Sequence, residues 1–330
     1  MIDLFIQSLF DTWRIVPGVL IIMFISLYVS QVLIELGLFK KLEFIGKPLA
    51  SLSNLPREAG ITFVASFGSV IAGNVMIAKL YQDKKIDSSQ TLLTALLNTT
   101  PVYLKETFTY QIPVMIPLLG IRAGLLYFLT FIVSGIVKVI FVIIYGRIRL
   151  QSNNPGTDTL DPDCVDSGRV DMNTITRSKF GKTLILSFAR QKKIFFKISI
   201  IFVSTTFFIF LLINNGIVKG LADYVQPLTE FFKLPPASVL PVGTYMFSPL
   251  VGAGLIGALI KNGTLSDLQG FTACLLGSLL MLPIFAVRYS FAKYASLFGF
   301  LMGSKILFVS TGLGMLNRVI FLMFLLVIIE

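Results

Sequence analysis

The feature that most constrains this chain is a repeat within it. Gly37 and Gly216 stand 216 − 37 = 179 residues apart. The same offset pairs Lys40 with Lys219, Pro48 with Pro227, Leu55-Pro56 with Leu234-Pro235, Ser69 with Ser248, Gly73 with Gly252 and Gln90 with Gln269. No gap is needed from about residue 24 to about residue 97. An offset of 180 then pairs Lys138-Val-Ile-Phe141 with Arg318-Val-Ile-Phe321. Leu and Ile match easily in apolar sequence, whereas Gly, Pro, Lys and Gln rarely fall into one register by accident, so the chain reads as a duplication. The first copy occupies 1–150, a polar linker 151–190 and the second copy 191–330.

Each copy asks for a bilayer. The apolar fraction is 55% and the mean hydropathy +0.84, against roughly 45–50% apolar residues in soluble domains. Runs such as Ile15–Leu36, Ala123–Gly146, Ile194–Ile213, Leu268–Val287 and Ile306–Ile329 reach the roughly 20 residues that a crossing helix needs. Basic residues in short loops mark the cytoplasmic side. Arg147, Arg149, Arg169, Arg177, Lys179, Lys182, Arg190, Lys192 and Lys193 place the central linker there, and Lys40, Lys41, Lys47 and Arg57 place the loop after the first helix there. The equivalent stretch of the second copy, Asn214–Lys233, balances Lys219 and Lys233 against Asp223 and Glu230 and suits the outside. The same element thus faces opposite sides in the two copies, which is the plan of an inverted-topology repeat.

Inversion needs an odd number of crossings. Three long helices per copy supply it, at 15–36, 88–104 and 121–146 in the first. The Gly/Ser-rich segment 57–81 must then return to the side it entered, and so must 236–262. Both are expected to be re-entrant hairpins, with 38–52 and 217–233 lying in the membrane surface. The expected fold is an all-α polytopic membrane protein of two inverted repeats, each with three transmembrane helices, an interfacial helix and a re-entrant hairpin. Both termini are expected outside the cell membrane. Asp3 and Asp11 precede the first apolar run, so no cleaved signal peptide is read there.

A chain that turns inside a bilayer leaves backbone groups unpaired, which is tolerated only where protein or water lines the turn. Ser66, Gly68, Ser69, Gly73 and Asn74 are the candidates in the first hairpin, and Thr244, Ser248, Gly252 and Gly254 in the second. Their alternatives are a binding site and close helix packing. Asn98-Thr99-Thr100-Pro101 should break the following helix, with Gly277-Ser278 and Pro283 as a looser counterpart. Lys138 lies nine positions before Arg147, roughly 13 Å of helix, and Arg318 twelve before Glu330, roughly 18 Å. Both therefore sit deep in a core about 30 Å thick, where a cation is costly and points to function. They either attract an anionic or acceptor-rich solute, cap freed carbonyls, or pair with Glu58 or Glu106.

Other chemistry is thinly represented. Histidine is absent, the two cysteines are Cys164 in the linker and Cys274 in an apolar run, and no phosphate-binding Gly loop followed by Lys-Ser/Thr is present. Neither an enzyme, a metal site nor a cofactor is expected, and the net charge of +11 is placed as membrane topology rather than as a nucleic-acid surface. The acidic stretch Asp161–Asp166 lacks the calcium-loop spacing and reads as solvated linker.

The segment Ser66-Phe-Gly-Ser-Val-Ile-Ala-Gly-Asn-Val-Met-Ile-Ala-Lys-Leu-Tyr81, with Ser248-Pro-Leu-Val-Gly-Ala-Gly-Leu-Ile-Gly257, resembles the nucleoside-recognition or Gate domain family. That family includes spore-maturation membrane proteins and the gate of ferrous-iron transport protein B, and is related in plan to concentrative nucleoside transporters. The resemblance implies paired hairpins whose tips meet broken helices at a substrate site, and an oligomer. This hairpin lacks the Cys of the iron gate and the acidic residue with which nucleoside transporters hold ribose. The expected function is secondary transport of a small polar or anionic solute, nucleoside-like or an organic anion, by alternating access. Substrate would lie among Ser66, Gly68, Ser69, Gly73, Asn74, Asn98, Thr99, Thr100, Lys138, Thr244, Ser248, Gly252, Gly254, Ser278 and Arg318, with Na⁺ or H⁺ as the coupling ion if one is used. The alternatives are a non-transporting module that binds a partner protein, and a lipid-handling protein with a cavity open to the bilayer.

Overall fold

A computed structural model describes residues 2–35, 46–150 and 219–329, with short pieces of 195–215. The linker 151–190, with Cys164, and residues 38–45 of the interfacial segment 38–52 lie outside the described residues. Every described element is helical. Among the described residues three helices are long and apolar enough to cross a membrane, Ile121–Arg149, Asp267–Phe298 and Phe300–Val327.

The chain opens with α1 (Ile2–Glu35), a 34-residue helix with Pro17 inside it. The short α2 (Gly46–Leu52) follows. Next come α3 (Arg57–Gly68) and α4 (Val70–Gln82), which pack on each other and are separated by a single extended residue, Ser69, at φ −153° and ψ 115°. Limbs of 12 and 13 residues reach about 18–20 Å at 1.5 Å per residue, short of a core about 30 Å thick. α5 (Ser88–Leu97) starts from a capping box in which Asp87 and Gln90 satisfy each other's backbone N–H groups. α6 (Thr100–Glu106) has Pro101 in its first turn, where the missing N–H is harmless. A π-helical stretch, Thr107–Met115, with Pro113 inside it, leads into α7 (Ile116–Leu119) and then α8 (Ile121–Arg149). The segment that the sequence marks as a crossing at 88–104 is therefore a broken rod that runs on to Leu119.

The second half has α9 (Lys219–Phe231), which buries Val225 and exposes Tyr224 and Phe231. It continues through a 3₁₀ turn (Pro236–Ser238) into α10 (Val239–Phe247) and α11 (Pro249–Lys261), again parted by one extended residue, Ser248, at φ −141° and ψ 93°. α12 (Asp267–Phe285) starts from a second capping box, Ser266 with Gln269. A π-helical stretch (Ala286–Ser290), α13 (Phe291–Phe298) and α14 (Phe300–Ile329) complete the chain.

Many of these boundaries coincide after a shift of 179. The breaks at Ser69 and Ser248, the caps at Asp87 and Ser266, the π-helical starts at Thr107 and Ala286, and the turns at Gly120 and Gly299 all differ by that number. Gly120 (φ 82°, ψ 165°) and Gly299 (φ 79°, ψ 164°) hold the same backbone conformation, one that a residue with a Cβ adopts only under strain. Because α8 and α14 both begin one residue later, Lys138 corresponds in position to Asn317 and not to Arg318. This corrects the register of 180: the Val-Ile-Phe match is one residue off the helix starts.

Two clusters of buried side chains hold the fold. One gathers Leu55 from the turn before α3 and Phe63, Ile77, Leu93 and Leu96 from α3–α5, with Val142 of α8 and Phe298, Met302 and Ile306 around the start of α14. The other gathers Val242, Tyr245, Ile256, Leu275 and Leu276 from α10–α12, with Leu119, Ala123 and Tyr127 around the start of α8 and Leu322 of α14. Each long final helix thus begins in the core of the other half and ends in its own, so neither half packs alone.

Candidate functional site

The first hairpin and the broken helix beside it meet at four residues. On α3, the Thr62 hydroxyl donates to the Ala59 carbonyl (3.0 Å), and Ser66 Oγ donates to the Thr62 carbonyl (2.8 Å). Gly73 on α4 faces them so closely that a Cβ there would overlap Ser66 Oγ and sit 2.9 Å from the Thr62 carbonyl and 3.0 Å from Asn98 Nδ2. Asn98, wholly buried at the end of α5, accepts a long bond from Thr62 Oγ1 (3.5 Å) through Oδ1. Its Nδ2 has no partner, and neither do Asn74 Oδ1, Thr94 Oγ1 and Thr100 Oγ1. Buried polar groups are ordinarily paired, so orphans grouped on α4–α6 mark a place that wants a polar occupant. Ser69 at the break accepts from the Ala72 N–H (3.3 Å), Gly68 closes α3, and Thr99 Oγ1 donates to the Leu96 carbonyl (2.7 Å).

Equivalent positions in the second half are filled differently. The residue 179 after Ser66 is Tyr245, and the residue 179 after Asn98 is Gly277. The Tyr245 side chain lies against both glycines: a Cβ on Gly277 would stand 2.7 Å from Tyr245 Cβ, and one on Gly252 would stand 2.6 Å from it. Its phenol meets that of Tyr127 at 2.8 Å. Thr244 and Gly254 are buried beside it, and Ser248 forms the break. α12 runs unbroken through Gly277-Ser278, contrary to the looser break that the sequence suggests. Gly277 makes room for a ring rather than for a turn, and Ser278 Oγ donates to the Leu275 carbonyl (2.9 Å), as a helical serine does.

The two deep cations do not meet. Lys138, 7% exposed, donates to Ser310 Oγ (3.0 Å) and lies 5.0 Å from the centre of the Tyr103 ring. Arg318 donates through Nε to Ser278 Oγ (2.8 Å) and through Nη1 to the Gly314 carbonyl (3.1 Å). Ser310 and Arg318 are eight positions apart on α14, about 12 Å along its axis. No carboxylate among the described residues lies within ion-pair distance of either cation, so pairing with Glu58 or Glu106 is not the arrangement found; the described ion pair is Arg122 with Asp267 at 3.7 Å. Asn317, the positional counterpart of Lys138, donates to Ser134 Oγ (2.6 Å). The described residues hold no group of three or more Asp, Glu, Cys or His able to share a metal ion.

Sequence reasoning passed over Thr62, Tyr103, Tyr127, Tyr245, Ser310 and Asn317. The signal for Tyr245 was present as a mismatch, since Ser66 meets Tyr and Asn98 meets Gly inside an otherwise matching register.

No family model matches the chain, and no solved structure matches it. Among curated proteins it is similar to three uncharacterised proteins of Methanocaldococcus jannaschii. MJ1556 is 27% identical over 336 residues, covering 99% of this chain and 100% of its own. MJ0880 is 24% identical over 276 residues, covering 83% and 86%, and MJ0871 is 23% identical over 296 residues, covering 90% and 88%. These relatives match nearly end to end, so both hairpins and both long final helices fall within the shared length of MJ1556.

Proposed function

We propose that the protein is a secondary transporter of a small polar or anionic solute, built from two inverted copies and working by alternating access. The observation that carries this reading is the pair of helical hairpins, each broken at one extended serine, with orphaned buried polar groups where the first meets a broken helix. Limbs too short to cross a bilayer suit re-entrant hairpins, and such irregular backbone is tolerated only against a lined cavity. Inversion is favoured by the way α8 and α14 pair. Lys138 bonds Ser310, and Asn317 bonds Ser134, so residue numbers rise on one helix as they fall on the other. Positional equivalents that cross antiparallel are what a two-fold axis in the membrane plane requires. Lys138 and Arg318 add positive potential on either side of the crossing, and Na⁺ or H⁺ would serve as a coupling ion. The proposal includes a plan like that of the Gate domain family, a multi-pass place in the cell membrane with both termini outside, and an oligomeric assembly.

Uptake into proteoliposomes tests the reading, with nucleosides, nucleobases and organic anions as the panel and Na⁺ or proton gradients imposed in turn. We expect saturable accumulation of one solute class, reduced about tenfold in Lys138→Ala, which removes positive potential from the helix crossing. No accumulation of any solute by folded protein would overturn it.

A further inference from the structure

We infer that the two hairpins are not equal partners around one ligand: the first holds an uncharged polar solute, while the second carries its own fixed occupant, the side chain of Tyr245. The inference deepens the transport reading and rests on it for the meaning of the ligand. The asymmetry of access stands or falls separately.

The argument is a comparison of matched positions. Around Gly252 and Gly277 the second half has Tyr245, whose ring lies against Gly277, whose backbone and Cβ lie against Gly252, and whose hydroxyl is satisfied by Tyr127. In the first half Ser66 stands in place of Tyr245, and buried Ile306 stands in place of Tyr127, since 127 + 179 = 306. Two phenol rings are replaced by a hydroxymethyl group and an alkyl group. The one gain is Asn98 in place of Gly277, and that side chain brings a donor with nothing to bond. Asn98 Nδ2 points at the Gly73–Ser66 contact and remains unpartnered with the residue wholly buried. An amide left so carries its desolvation cost unrecovered, and a ligand acceptor or a water recovers it. No such orphan is found at the equivalent place in the second half, because Gly277 has no side chain and Tyr245 is paired.

The chemistry of the first site sets the class of ligand. Thr62, Ser66 and Asn98 offer hydroxyls and an amide, all neutral. The buried cation Lys138, on α8, is turned onto Ser310 and the Tyr103 ring. A full charge placed against neutral dipoles in a buried site is far more costly than an uncharged polar group. The ligand is therefore a neutral molecule presenting a hydrogen-bond acceptor to Asn98. Lys138 then contributes to the electrostatics of the helix crossing and not to a direct contact. Tyr245, bound to Tyr127 of α8, ties the second hairpin to a helix that both cores share, which makes the first hairpin the half that is free to respond.

Thiol labelling tests this on the full-length protein in lipid nanodiscs, in a Cys164→Ser/Cys274→Ala background with single cysteines at Ser66 or at Thr244, both of which are buried. The probes are methanethiosulfonates of similar size, one hydroxyethyl, one sulfonatoethyl and one trimethylammonioethyl. We expect Ser66→Cys to react with the hydroxyethyl reagent about tenfold faster than Thr244→Cys, and about tenfold faster than with either charged reagent, a difference of one decade in rate. Adding Tyr245→Ser should bring the Thr244→Cys rate up towards that of Ser66→Cys. Equal rates at the two cysteines, a Ser66→Cys that stays unreactive, or equal rates with charged and uncharged reagents would each overturn the inference. Should Ser66→Cys fail to fold, Asn98→Cys takes its place with the same expectations. Labelling does not depend on transport, so a protein that moves no solute but shows this pattern loses the transport reading and keeps the one-sided site.

Discussion

The two halves share a backbone plan and fill it with opposite chemistry. In the first, Ser66, Gly73 and Asn98 leave the buried Asn98 amide nitrogen unsatisfied, whereas in the second the same positions are Tyr245, Gly252 and Gly277, packed closely together with the phenol paired. The fold needs both halves to complete its core, because α8 and α14 each begin in the other half's cluster. It does not need both copies to bind. On the proposed reading, the half that Tyr245 fills would serve as the rigid reference against which the other works.

Substitutions that exchange the two chemistries should have unequal consequences. The largest effect is expected from Gly277→Asn, which places a side chain where Tyr245 Cβ and Cγ already stand 2.7 and 2.8 Å from the added carbon. Overpacking of that kind should cost about 3 kcal/mol, read as a lower melting temperature in detergent. Next comes Ser310→Ala, which removes the hydroxyl from the buried Lys138 ammonium and should cost about 1.5–3 kcal/mol, the range for a bond to a charged group. Lys138→Met, which removes the charge as well, should recover most of that stability in the same melts. Tyr127→Phe leaves the buried Tyr245 hydroxyl without its partner and should cost about 1–3 kcal/mol, while the double variant Tyr127→Phe/Tyr245→Phe should cost less than the single one. The smallest effect is expected from Asn98→Gly, below about 1 kcal/mol although the residue is wholly buried. Only a long bond is lost, Thr62 keeps the Ala59 carbonyl, and what remains is the backbone entropy of glycine. A larger loss from Asn98→Gly than from Gly277→Asn would break the comparison.

Much of the architecture was legible because backbone constraints leave durable marks in sequence. Ser69 and Ser248, with the small residues around them, showed where each helix stops and restarts. Pro101 showed where the rod after the first hairpin breaks. Gly120 and Gly299 would have shown where the long final helices begin, and they would have held the register at 179 where a run of Val, Ile and Phe drew it to 180. Apolar runs match at several registers, whereas a glycine in a turn that other residues resist has one. The pairing of Tyr127 with Tyr245 was not legible, since a contact between residues 118 apart depends on how helices pack and leaves no local pattern. Gly277 misled for a related reason. A glycine inside a buried helix signals a break, a close neighbour or both, and only the position of the neighbouring ring decides.

The most direct test copies the second half into the first. In Ser66→Tyr/Asn98→Gly the first hairpin acquires the residues with which the second is closed. The measurement is uptake by proteoliposomes of whichever panel solute the unaltered protein accumulates, alongside the melting temperature of the same preparations. The account predicts a folded protein whose melting temperature falls only modestly, because Ile306 offers the new phenol no partner, and whose uptake is lost, with Tyr245→Phe transporting normally. Uptake that survives in the folded double variant would contradict it, because a site filled by a tyrosine would then still be carrying solute.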